Sequence, residues 1–330
     1  MAVLLTAGFV YLRCSAGGTV HEAQRPLMGT IFKIKVYAEG LSRDRFEAVS
    51  GAAFAEIARI EAEMSEWRPD SPISRITRLA GRQAVTVSDE ILDLVDLAQA
   101  VSRETDGIFD ISFKPLGRLW KVENGQTPPD GKAIRMAQRL VDYRRIELDR
   151  SDKTLFLSQP GMAIGLGGIA KGYAAGRAAQ IMGEAGLRNL IIDAGGDLYV
   201  SGAKGREGWI CGIRDPEGKR DPLIRLRIKR DCAVVTSGDY ERYFEYQGKR
   251  YHHIIDPRTG YPAEGTKSVT VLAKDPALAD AFATAFFILG PGESARIARR
   301  IPGLAFILID GAGKIWRGGP LADFADEIGS

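Results

Sequence analysis

Apolar and polar residues alternate along "TIFKIKVYAE" (30–39), with Phe32, Ile34 and Val36 on one side and Lys33 and Lys35 on the other. A period of two predicts a half-buried strand. From Asp44 to Met64 the period changes. Phe46, Val49, Ala53, Ile57, Ile60 and Met64 recur by threes and fours, which predicts an amphipathic helix. A second helix is predicted from Ser88, a good N-cap followed by Asp89 and Glu90, to Gly107. "RIELDRSDKTLFLS" (145–158) reads as a hairpin. A glycine-rich loop, a helix to about Ala185 and a strand "LIIDA" follow. Beyond Gly195 the pattern is mainly strands up to Val271, among them "IRLRIKR" (224–230), a half-buried strand with a solvated basic face. "GLAFILIDGAGKIW" (303–316) is another hairpin, and "NGQTPPDG" (124–131) is the clearest loop. Helices and strands mix without steady βαβ alternation, so the expected class is α+β.

One helix breaks the rule that apolar and polar faces separate. In "ADAFATAFFILG" (279–290), Phe282, Phe286, Phe287, Ile288 and Leu289 leave no polar side, so the segment is expected to be buried. Asp275-Pro276 supplies an N-cap with proline at the first helical position, and Gly290 supplies a stop. Yet Asp280 and Thr284 lie four apart and share a face. A buried carboxylate one turn from a hydroxyl calls for a partner, because an unpaired buried carboxylate is expensive.

Composition narrows the function only at the edges. The 330 residues suggest about two domains, and 45% apolar with 26% charged residues is ordinary for a globular chain. The net charge of +3 is small and scattered, which argues against a nucleic-acid partner. Cys14, Cys211 and Cys232 form no CxxC pair, and the last two sit in strand-like segments as small buried hydrophobes. The chain opens with "MAVLLTAGFVYL", too short for a membrane span but of the length of an export-signal core, though without basic residues before it. Cys14 is a candidate lipidation cysteine, with Arg13 before it a poor fit. Residues 1–20 are therefore expected to be an export signal or anchor, and 21–330 the folded body.

"GLGGIAKGYAAG" (165–176) admits two chemical readings. Gly165, Gly167 and Ala170 fit the dinucleotide fingerprint G-x-G-x-x-A, with Asp193 at a strand end downstream. Against a nicotinamide enzyme stand the very short strand cut by Pro160-Gly161, Lys171 at the helix start, and the lack of further βαβ units. A phosphate cradle of backbone N–H groups with Lys171 as a point charge is the other reading, and a plain strand-to-helix turn is as compatible with the loop alone.

Seven segments in order resemble the FAD:protein FMN transferase (ApbE) family. They are "MGT" (28–30), "MSEWRPDSPISRI" (64–76), "TDGIFDISFKPLGRLW" (105–120), "GLGGIAKGYAAG", "DAGGDLYVSG" (193–202), "HHIIDPRTGYP" (252–262) and "ADAFATAFFILG". The resemblance implies a mixed, two-lobed α+β fold with FAD bound between the lobes. It implies Mg²⁺-dependent transfer of FMN from FAD to a threonine or serine hydroxyl of an acceptor protein, with AMP leaving. A respiratory or redox protein is the expected acceptor. The expected location is the periplasmic side of a bacterial inner membrane or outside the cell, with peripheral or anchored membrane association. By position, Asp280, Thr284 and the backbone oxygen of Gly168 match metal ligands. Met28, Trp67, Ile108, Phe109, Asp110 and Ile254 match flavin-nucleotide contacts, and Lys171 matches a phosphate contact. His253 matches a histidine required for activity, and Asp256 is either a supporting catalytic group or the start of the DPRTG turn. The family usually has Asp at the positions of Gly165 and Gly176. The first is an FAD contact, so FAD is expected to bind more weakly here and Gly165→Asp to tighten it. An FAD pyrophosphate hydrolase giving FMN and AMP and a non-catalytic FAD-binding accessory protein are the alternatives.

Overall fold

A computed structural model describes residues 18–120, 127–220 and 222–328. Its framework is an eight-stranded sheet in the order Thr19–Leu27, Thr30–Ala38, Leu190–Ala194, Leu198–Ser201, Cys232–Gly238, Thr266–Ala273, Leu304–Asp310 and Ile315–Gly318. Every pairing within it is antiparallel. A doubly wound nucleotide fold needs a parallel sheet, so the dinucleotide reading of the glycine loop falls. Asp193 instead closes a turn, its carboxylate accepting the Gly196 N–H at 2.7 Å across Gly195-Gly196.

Side-chain alternation sends each strand into two cores. On one face Phe306 and Leu308, with Phe32, Ile34 and Val36, pack against the helices Arg43–Met64, Asp89–Glu104, Ala170–Glu184 and Pro276–Ala298. On the other, Ala305, Ile307, Val234 and Val200 pack against a three-stranded sheet of Ile210–Ile213, Ile224–Ile228 and Ala325–Ile328. Cys211 and Cys232 lie in this second core, where burial pushes both thiols up to about 12 and leaves them unreactive. The α+β expectation holds, and no helix among the described residues is long and apolar enough to cross a membrane.

The helix starts follow the predicted caps. Ser88 accepts the Ile91 N–H, and Asp275 accepts those of Ala277 and Leu278. The Asp280 helix is as buried as its sequence demands, with Phe282, Phe286 and Phe287 at 0–1% exposure. Each such side chain contributes about 1.5–3 kcal/mol relative to an exposed one. Its end departs from expectation. Gly290 (φ 72°, ψ −178°) interrupts the helix but does not finish the element, which resumes at Pro291 and runs to Ala298. Ser294 holds the kink by donating its hydroxyl to the Gly290 carbonyl at 2.6 Å. The expected 124–131 loop also ends early: Asp130 caps a helix that begins at Gly131, and residues 124–126 lie outside the described residues. So does the apolar N-terminal run with Arg13 and Cys14, and the first strand starts at Thr19.

Candidate active site

Two helices meet at the centre of the candidate site. The helix Ala170–Glu184 presents Gly172 and Gly176 to the start of the Asp280 helix. A Cβ on Gly172 would run into the Pro276 carbonyl oxygen, and one on Gly176 would stand 2.8 Å from Pro276 Cγ. This close approach, and not a missing ligand contact, explains why Gly176 stands where the resemblance expects Asp. It also lets the Gly172 N–H reach Asp280, donating to Oδ2 at 3.0 Å.

Gly168, Asp280 and Thr284 lie on neighbouring segments here. Thr284 follows Asp280 by one turn, and its Oγ1 lies 3.3 Å from where a Cβ on Gly168 would stand. Asp280 is 4% exposed, and burial raises its carboxyl to about 6 against the opposing pull of Lys171. A buried carboxylate whose described partner is one backbone N–H is suited to a cation. One carboxylate, one hydroxyl and one backbone oxygen would make a hard, oxygen-only set of the kind Mg²⁺ takes when water and phosphates complete its shell. Among the described residues no group of three or more His, Cys, Asp or Glu is placed to hold a metal.

Lys171, at the start of the same helix, does not pair directly with Asp280. Its ammonium contacts Asp197, whose other oxygen accepts the Thr236 N–H at 3.2 Å. Burial works against the Lys171 charge, but Asp197 and Asp280 keep its pKa raised, so it is cationic at all working pH values. Glu241 faces the same cluster. Burial, then the negative charge of Asp197, raises its carboxyl to about 7. His253 lies near enough to feel Lys171. Desolvation lowers it to about 4, so the ring is neutral above pH 5. Its Nδ1 is 3.3 Å from the Arg242 carbonyl oxygen. That contact sets the tautomer: Nδ1 carries the hydrogen and Nε2 keeps a lone pair. His252, by contrast, is buried against Phe287 with Nε2 2.8 Å from the Ala263 carbonyl.

A second cluster lies at the N-terminal end of the glycine loop. Lys114 pairs with Glu66 Oε1 and also sits 3.3 Å from the centre of the Trp67 ring. Trp67 is 78% exposed, so most of the ring is open to a ligand. Glu66 Oε2 is buried and has no hydrogen-bond partner among the described residues. It occupies the space into which a Cβ on Gly165 would project, with Phe113 close behind. Gly165 is thus small because Glu66 approaches it, and its φ is not among the positive ones. The expectation that Gly165→Asp simply adds a missing carboxylate is therefore corrected: a carboxylate already fills that space.

The remaining sites fare differently. Met28 (φ 51°) and Gly29 (φ 71°) form a two-residue turn with both φ positive. The turn stands beside the Gly195 loop, where Thr30 occupies the place of a Gly195 Cβ. Ile108, Phe109 and Ile254 point into the core, and Phe109 packs beneath Gly168. Asp110 spends its carboxylate on the N–H groups of Ser112 and Tyr143 and the Ser112 hydroxyl. The Ile108, Phe109, Asp110 and Ile254 side chains are thus committed to the interior of the fold. Asp256 belongs to its turn: it accepts from the Arg258 backbone and guanidinium, which removes it as a free catalytic carboxylate. Asp197, Glu241, Glu66 and Lys114 were not anticipated, although Asp197, Glu66 and Lys114 lie inside the seven resembling segments.

Comparison with known proteins gives one consistent answer. Residues 28–308 match the model of the ApbE family. A FAD:protein FMN transferase of Klebsiella pneumoniae (strain 342) is 36% identical over 273 residues, covering 82% of this chain and 83% of the relative. One from Treponema pallidum (strain Nichols) is 32% identical over 314 residues, covering 90% and 86%. The crystal structure of the ApbE protein of Thermotoga maritima MSB8 superposes with a TM-score of 0.84 at 32% identity, covering 94% of this chain and all of that one. The flavin transferase ApbE of Vibrio cholerae does so with 0.82 at 26% identity, covering 93% and 99%.

Proposed function

Because the chain belongs to the ApbE family, we propose that it is an FAD:protein FMN transferase whose reaction runs at the Asp280, Thr284 and Gly168 junction. The observation that carries this reading is the buried Asp280 carboxylate, which accepts from the Gly172 N–H beside Lys171, with Thr284 one turn on and its Oγ1 next to Gly168.

In this reading FAD lies between the Trp67 side and the Asp280 side of the opening, with its pyrophosphate over the glycine loop. The acceptor hydroxyl oxygen attacks the phosphorus of the FMN half. The bond from that phosphorus to the bridging oxygen breaks, the new phosphoester joins FMN to the acceptor, and AMP leaves with the bridging oxygen. The hydroxyl proton passes to His253, whose neutral Nε2 is the basic nitrogen. Lys171, held charged by Asp197, attracts the pyrophosphate. Gly168, Asp280 and Thr284 are the residues that would hold Mg²⁺, which when bound neutralises charge on the phosphates. The acceptor is a protein with an accessible Thr or Ser, of the respiratory or redox kind. The location is the periplasmic side of an inner membrane or the exterior, reached through the N-terminal run ahead of the strand that starts at Thr19.

Product analysis tests the reading. The protein, FAD, Mg²⁺ and a threonine-bearing acceptor domain should yield acceptor heavier by FMN together with AMP. Free FMN and AMP without acceptor labelling would make it a hydrolase, and intact bound FAD alone an accessory protein.

A further inference from the structure

We infer that Glu66 is a substrate-binding residue: its free carboxylate oxygen accepts a hydrogen bond from a base of FAD at the mouth formed with Trp67 and Gly165. The inference rests on the FAD-dependent reading above. It starts from a carboxylate that is half satisfied. Oε1 is neutralised by Lys114, while Oε2 is shielded from solvent with no partner among the described residues. Leaving such an oxygen unpaired is unfavourable, so its persistence points to a donor supplied by a ligand.

The surroundings say what kind of ligand. Lys114 holds Glu66 and Trp67 as one unit, since the same ammonium pairs with the carboxylate and lies over the indole ring. Trp67 offers an open aromatic surface to a planar ring. A carboxylate beside that ring repels phosphate and favours an N–H donor. FAD has two such donors on planar groups, the flavin imide and the adenine amine, and the carboxylate would take either. Gly165 fits the same picture, because the loop lacks a Cβ at the point Glu66 Oε2 occupies. Position 66 and position 165 are therefore alternative sources for one carboxylate.

This reciprocity gives the test. FAD affinity is measured by calorimetry for wild type, Glu66→Gln, Glu66→Ala, Gly165→Asp and the double variant Glu66→Ala/Gly165→Asp, with folding checked by circular dichroism. Loss of the charge-assisted hydrogen bond should weaken FAD on the order of ten- to hundredfold in Glu66→Ala, and less in Glu66→Gln, whose amide oxygen still accepts. Gly165→Asp alone should also weaken it, because two carboxylates then compete for one space. The double variant should recover most of the affinity, a rescue that a purely structural role for Glu66 would not produce. Parallel titrations with FMN and AMP identify the base: the one whose binding falls with Glu66→Ala carries the donor. A folded Glu66→Ala protein that binds FAD like wild type would overturn the inference. A wild-type protein that binds no FAD would instead overturn the functional reading beneath it.

Discussion

Thr284 Oγ1 stands 3.3 Å from the place a Cβ on Gly168 would occupy. That spacing joins the glycine loop to the helix carrying Asp280. Thr284→Val keeps the shape of the side chain and removes the oxygen. The variant should fold normally and need about tenfold more Mg²⁺ for half-maximal transfer, the equivalent of about 1.4 kcal/mol. A Mg²⁺ titration of the transfer rate decides this, and an unchanged midpoint would remove Thr284 from the ligand set.

Gly172 and Gly176 predict a stability effect with no catalytic chemistry in it. A methyl at Gly172 meets the backbone carbonyl of Pro276, which cannot move aside as a side-chain tip can. Overpacking of this kind costs about 1–3 kcal/mol. Gly172→Ala should therefore lower the melting temperature by several degrees. Melting indistinguishable from wild type would show that the helix pair is looser than described.

His253 supplies the pH dependence. Its folded value is lowered to about 4 from an ordinary 6.5 by desolvation. Between those values the native protein binds fewer protons than the unfolded chain. Stability attributable to this residue therefore rises with pH across the window and is lost as the solution is acidified below 6.5. Thermal melts from pH 7 to pH 4.5 should fall more steeply for wild type than for His253→Gln, whose amide can still donate to the Arg242 carbonyl. Parallel curves would contradict the desolvated, neutral ring.

Much of this was legible in the chain because local rules govern it. The helix Arg43–Met64 follows from its three-and-four spacing, and the Asp280 helix from its Asp-Pro start. The Asp280 and Thr284 pair follows from a single turn of helix. What stayed hidden depends on residues distant in sequence. No periodicity reveals that Glu66 occupies the space beside Gly165, or that Lys114 is buried between Glu66 and Trp67. Asp197 and Glu241 reach Lys171 only through the sheet and the connection after its Cys232–Gly238 strand. The side chains of the segment at 108–110 face inward, which its sequence alone does not reveal. Gly290 carried a true signal for a break, while Pro291 restarted the helix.

Residues 1–17 lie outside the described residues, and the first described strand begins at Thr19. Their removal should leave transfer by purified protein unchanged, whereas a reporter active only outside the cytoplasm should work when fused behind them. A silent reporter, with the fusion made and stable, would contradict the export role.

In the proposed function Asp280 organises phosphoryl transfer from a buried oxygen site. Its most direct test is the intact mass of an acceptor domain after incubation with FAD and Mg²⁺, using wild type and Asp280→Ala of equal circular dichroism. Wild type should add the mass of one FMN to the acceptor, and Asp280→Ala should slow that labelling by on the order of a hundredfold or more. Equal labelling by the two proteins would contradict the account.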